Sequence, residues 1–172
     1  KYLSVFLVVT LIITTTFIGV TVNAATDISE AKSISVNSTY TGNVENGYDY
    51  EKDYYKFTIS QDGYVTINFT NSSPSSSTND AWKITLLTNY AAESITSSTA
   101  KLNNSTIKLT TIGLPAGTYY ICVESNSSYQ AISTNTYSIN VNFTSANNWE
   151  KEFNSDTETA NVINTNTTYY GT

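Results

Sequence analysis

The chain of 172 residues contains no histidine, no methionine and no arginine, and it has one cysteine and two prolines. Without histidine, a Ser-His-Asp triad, a Cys-His dyad and a His-bearing zinc site are all excluded. One cysteine can form neither an internal disulfide nor a Cys-ligated cluster. Charge is scarce as well: eight lysines face fourteen acids, 13% of residues are charged, and the net charge is −6 with a pI near 4.4. No basic patch is available to neutralise phosphates, so nucleic acid is excluded as a partner class. What is abundant is small and polar, with 29 Thr, 22 Ser and 20 Asn. Hydrophobic residues still make up 40%, fourteen Tyr among them, which suffices for a packed domain rich in β-formers.

Residues 1–24 differ from the rest. Lys1 precedes a nearly unbroken apolar run from Tyr2 to Val22, interrupted mainly by Thr14, Thr15 and Thr16, and Val22-Asn23-Ala24 has the small residues of a cleavage site. A secretory signal peptide removed after Ala24 is expected, leaving a secreted or cell-surface protein with no membrane segment in its mature form. The competing reading is a retained anchor, since the run is about long enough to span a bilayer. The absence of an initiating Met is expected to reflect a start inside the encoded product. Export usually brings disulfides, and a lone Cys122 forms none within the chain, so the domain must rely on its core. In Tyr119-Tyr120-Ile121-Cys122-Val123 a small covered thiol is expected rather than a reactive one.

From residue 53 apolar residues fall at every second position, the period of a half-buried strand. Tyr55, Phe57 and Ile59 form one inward row. Gln61-Asp62-Gly63 then turns into Val65, Ile67 and Phe69, and this pair is expected to be a hairpin. Asn71 to Asp80, with Pro74 and a Ser cluster, reads as an exposed loop. Trp82, Ile84 and Leu86 follow, then Ile107 and Leu109, Ile112 and Leu114, Tyr119, Ile121 and Val123 after the turn Pro115-Ala116-Gly117, and finally Tyr137, Ile139, Val141 and Phe143. Six or more strands without an amphipathic helix favour two antiparallel sheets packed face to face, an all-β sandwich of jelly-roll type over 25–146. Tyr48, Tyr50, Tyr54, Tyr64 and Tyr120 lie outside the inward rows, as a binding face or as ordinary sheet surface.

The C-terminal segment 147–172 reads as a linker and the start of another copy. Residues 156–172 align with 27–43 at a constant offset of 129, with seven identities in seventeen: Asp27/Asp156, Ala31/Ala160, Ile34/Ile163, Asn37/Asn166, Thr39/Thr168, Tyr40/Tyr169 and Gly42/Gly171. Ala, Ile, Tyr and Gly among them exceed what shared Thr and Asn richness gives, so a tandem repeat is expected.

Asp53-Tyr54-Tyr55-Lys56-Phe57-Thr58-Ile59, Asp62-Gly63-Tyr64-Val65-Thr66-Ile67, Leu114-Pro115-Ala116-Gly117-Thr118-Tyr119-Tyr120-Ile121 and Tyr137-Ser138-Ile139 together resemble the bacterial pre-peptidase C-terminal domain family, over roughly 27–143. The motifs are short but stand in the family's order and spacing. The resemblance implies a jelly-roll-like sandwich without catalysis of its own, attached to secreted hydrolases and surface proteins, related to the collagen-binding domain of bacterial collagenases, and in some members calcium-binding.

Calcium needs six to eight oxygens, which clustered acids can supply. One candidate set is Asp49, Glu51 and Asp53, with Glu45 nearby and Asp27 as a possible helper. The other is Glu150, Glu152 and Asn154, with Asp156 close behind, similar to the calcium-binding linker of collagenase-type members. At the repeat offset the first copy has Thr21, Asn23 and Ala25 there, so the linker ligands are expected to serve the second copy. A solvated acidic surface is the competing reading.

Two functions follow from different classes. The first is a non-catalytic secreted or cell-surface module in a tandem array, acting in adhesion, in binding an extracellular matrix protein or polysaccharide, or as a spacer, with adjacent repeats or domains of the same chain as neighbours. The second is an accessory domain of a secreted peptidase or other hydrolase. In secreted peptidases the family usually follows the catalytic domain, whereas here it comes directly after the leader, which favours the first.

Overall fold

The computed structural model describes residues 20–21, 27–43, 52–73, 75–88, 93–103, 105–125 and 136–172. The leader apart from Val20 and Thr21, together with Glu45, Tyr48, Asp49, Tyr50 and Glu51, lies outside the described residues.

Eleven strands appear among the described residues: β1 Val20–Thr21, β2 Lys32–Ser33, β3 Thr39–Asn43, β4 Lys52–Ile59, β5 Gly63–Asn71, β6 Asp80–Leu87, β7 Ser94–Lys101, β8 Thr106–Lys108, β9 Ile112–Leu114, β10 Gly117–Ser125 and β11 Thr136–Ser145. The only helical piece among them is a 3-10 turn, Ile28–Glu30, capped by Asp27, whose carboxylate accepts from the Ser29 amide at 2.7 Å. One sheet has the order β1-β3-β11-β5-β8, with β9 also on β5; the other has the order β2-β4-β10-β6-β7. Pairing is antiparallel except at the outer edges, where β1 runs parallel to β3 and β2 parallel to β4.

The inward rows are those the period-two pattern picks out. Tyr55, Phe57, Ile59, Val65, Ile67, Phe69, Trp82, Ile84, Leu86, Leu109, Leu114, Tyr119, Ile121, Val123, Tyr137, Ile139 and Val141 are buried in one core between the sheets. Aromatic rings fill its middle: Tyr137 stacks on Phe69 at 5.5 Å and meets Trp82 edge-on at 5.5 Å.

The expected hairpin across Gln61-Asp62-Gly63 is not one. β4 pairs with β10 and β2, β5 with β11, β8 and β9, so the turn carries the chain from one sheet to the other. The reason is burial: Tyr55, Phe57 and Ile59 on β4 and Val65, Ile67 and Phe69 on β5 gain more by facing each other across the core than by lying side by side. The Ser-rich connection after β5 also departs from a plain exposed loop, since Ser73 is buried. Its backbone is held by its own side chains, the amides of Ser73, Ser75, Ser77 and Asn79 each donating to the oxygen two residues earlier.

Candidate functional site

Asp53 does not sit in an open loop. It belongs to the inward row of β4, is 4% exposed, and its carboxylate accepts a hydrogen bond from the Tyr137 hydroxyl, which is itself 2.7 Å from the Tyr55 hydroxyl. Burial pushes the Tyr137 phenol well above its ordinary value and raises that of Tyr55 too. Gly42 of β3 lies against this group, where a Cβ would collide with both hydroxyls.

Glu150, Glu152 and Asn154 stand elsewhere. After β11 the chain folds over the turn that joins β4 to β5. Ala146 donates its amide to the Asp62 carbonyl at 3.2 Å, Lys151 Nζ lies 2.8 Å from Asp62 Oδ2, and the Glu152 amide donates to the Gly113 carbonyl at 2.9 Å. Trp149 packs on Tyr64 with ring centroids 4.6 Å apart and on Tyr170 at 6.0 Å. The Glu150 carbonyl occupies the space where Gly113 lacks a side chain. Lys151 and the Ala116 amide hold the Asp62 carboxyl below its ordinary value. This anchor was not apparent in the sequence pattern; a Trp in an otherwise polar linker was its one signal.

The structure thus brings Glu150 and Asn154 together, with Asn154 Nδ2 donating to Glu150 Oε1 at 3.0 Å, beside Tyr169, Tyr170 and Gly171. It does not bring them to Asp53. β4 runs from Asp53 to Ile59 toward the turn they cover, and six strand residues span about 20 Å. Among the described residues no three acids gather as a metal site. Among the described candidates, Asp53 is engaged in the core and the linker set lies at the other end of the sandwich. Asp27 is occupied as a cap, and Asp156 likewise accepts from the Thr159 amide at 2.8 Å.

The outer face of the β2-β4-β10-β6-β7 sheet carries the other candidate. A groove of about 640 Å³ runs along its β2-β4-β10 edge, walled by Ser33, Ser35, Lys56, Thr58, Thr118 and Tyr120 over an apolar floor of Ile34 and Phe57. Thr58 and Thr118 bond across the strands at 2.9 Å. Further along the face Tyr54 is paired with Cys122. The Cys122 thiol is buried and pushed up to about 11, chiefly by desolvation, and Tyr54 rises to about 12 for the same reason. A thiol so raised is no nucleophile at neutral pH. Of the described tyrosines outside the core rows, Tyr64 is spent on the Trp149 anchor and Tyr120 lines the groove.

The class defined by this architecture is an all-β sandwich domain with a polar face groove. Residues 51–125, spanning β4 to the end of β10, match the bacterial pre-peptidase C-terminal domain family. No curated protein matches the sequence. Among solved structures the chain is similar to the pre-peptidase C-terminal domain of a collagenase from Bacillus anthracis, with 20% identity over 65% of this chain and 94% of that one at a TM-score of 0.48. It is also similar to PliG, a periplasmic inhibitor of g-type lysozyme from Aeromonas hydrophila, with 15% identity over 66% and 97% at 0.43. A family 35 carbohydrate-binding module from an environmental isolate shows 18% identity over 72% and 88% at 0.42.

Proposed function

We propose that the chain is a non-catalytic extracellular module, one of a tandem array in a secreted or cell-surface protein, that holds an extended hydroxyl-rich polymer, a polysaccharide, along the groove beside Tyr120. The observation that supports this most is the groove itself: four short hydroxyl side chains, one lysine and one aromatic ring over an apolar floor. Hydroxyls and Lys56 exchange hydrogen bonds with sugar hydroxyls, and the Tyr120 ring offers a face to stack on. Chemistry finds no matching equipment among the described residues of the sandwich. Cys122 is protonated, Asp53 is held in the core, and Asp62 is tied to Lys151. Affinity electrophoresis in gels containing soluble xylan or cellulose derivatives, with gelatin as the protein counterpart, tests the reading. Retardation by a polysaccharide that falls about tenfold in Tyr120→Ala with Lys56→Ala supports it; equal retardation of parent and variant, or retardation by gelatin alone, overturns it.

Calcium belongs to this proposal in one place. Glu150, Glu152 and Asn154 are assigned to the sandwich that follows them rather than to the one they pack on, because Asp53 lies at the far end of the latter.

A further inference from the structure

We propose that residues 149–172 are a preassembled first segment of a second sandwich, clamped to the first one and presenting Ile163 for burial in the second. The inference rests on the modular reading above but not on its ligand. The sequence offset of 129 is matched by local structure at several independent points. Asn37 and Asn166 both adopt left-handed backbone, with φ of 59° and 61°. The Ser35 amide donates to the Tyr40 hydroxyl at 2.8 Å, and the Asn164 amide to the Tyr169 hydroxyl at 3.3 Å. Asp27 and Asp156 each cap the turn that follows them. The parallel pair of β1 with β3 joins Val20 to Tyr40 and Thr21 to Thr41, and a parallel bridge joins Trp149, the counterpart of Val20, to Tyr170, one residue beyond the counterpart of Tyr40. The Val20, Thr21 and Trp149 sides of these pairs lie outside the seventeen aligned residues, where the two stretches share no identity.

What differs is what lies on top. Ala31 and Ile34 are buried, at 3% and 7% exposure, because Lys32 and Ser33 pair in parallel with Tyr55 and Lys56 of β4 and the Ile34 amide donates to the Lys56 carbonyl at 2.9 Å. Their counterparts Ala160 and Ile163 are exposed, Ile163 at 68%, and Val162 beside it at 90%. A segment already bent into the shape that buries Ile34 exposes the equivalent side chain to water. The cover that fits is a strand of β4 type belonging to a sandwich whose own edge is open, running parallel to Asn161 and Val162 and closing its core over Ile163. The β4 edge of the first sandwich is taken by β2, so it does not serve. Trp149 on Tyr64, Lys151 on Asp62 and Glu152 on Gly113 fix the segment to the first sandwich, which makes the joint a built interface and not a loose tether.

A fused chain in which residues 44–146 are appended directly after Thr172 gives the segment such an edge. A second fusion, with residues 27–43 in place of 156–172, supplies the same appended strands with their own first segment. If the proposal holds, both fusions show two folded sandwiches, the amides of Val162 and Ile163 exchange at least ~100-fold more slowly in the first fusion than in the 172-residue chain, and Ile163→Asp unfolds the second sandwich alone. If only the second fusion folds its appended strands, or if Val162 and Ile163 exchange as fast in the fusion as in the 172-residue chain, the proposal is overturned. Both readouts report folding, so they can fail while polysaccharide binding stands, and the reverse.

Discussion

Trp82 and Phe57 illustrate how much single side chains carry in a domain without disulfides. Both are within 1% of full burial, Trp82 against Phe69 and Tyr137, Phe57 against Tyr119. Trp82→Ala or Phe57→Ala is expected to cost about 3 to 5 kcal/mol in urea unfolding, a large share of a domain's stability. Ser76→Ala, on an exposed position, should change little. The Trp82 indole N–H has no hydrogen-bond partner among the described residues, so Trp82→Phe loses packing only and should cost clearly less than Trp82→Ala. Cys122 gives a second expectation at this scale. Desolvation raises its thiol to about 11, so the folded protein should resist alkylation by iodoacetamide at pH 8 and react once unfolded in urea. Equal rates in both states would place the thiol on an open surface. Most inward residues were legible because alternation is a property of the strand itself. Asp53 was not, since an acid among other acids reads as a solvated loop until Tyr137 and Tyr55 are seen beside it.

Strands follow from local pattern, whereas their partners do not. β4 and β5 carry unambiguous rows, yet whether two such rows lie side by side or face to face depends on the rest of the sheet, and the turn at Asp62 is compatible with both. β7, Ser94–Lys101, shows the opposite case. Only Ala100 is buried in it, so no apolar period marks it, and it exists by pairing with the β6 edge. The anchor of the C-terminal segment is likewise a matter of elements meeting, and its ion pair makes it sensitive to acid. The Asp62 carboxyl is held below 3.8 by Lys151 and the Ala116 amide. A carboxyl lowered in the folded state stabilises above its unfolded value near 4 and ceases to do so as pH falls through the lowered one. The pair is about half exposed, so the effect is small, under about 1 kcal/mol. In a Trp82→Phe background the emission of Trp149 should therefore shift to the red only below about pH 4, and Asp62→Asn should already be shifted at neutral pH. Identical pH profiles would remove the ion pair from the anchor.

For the whole molecule, the distance between Asp53 and the Glu150 and Asn154 pair bears on the calcium proposal. Glu150 and Asn154 offer few oxygens, and Asp53 is at the other end of the sandwich, so this chain should bind calcium only in the millimolar range of the weakest extracellular sites. Titration calorimetry showing a dissociation constant below about 10 μM would mean that the ligands converge after all. The proposed binding falls on the groove at Tyr120, and mapping by amide chemical shifts tests it directly. Titrating the labelled protein with a xylan or cellulose oligosaccharide should move the signals of Lys56, Thr58, Thr118 and Tyr120 together, leaving the β3, β5 and β11 face and the Trp149 anchor still. Shifts confined to that other face, or none anywhere at millimolar oligosaccharide, would contradict a polysaccharide-binding groove on this sandwich.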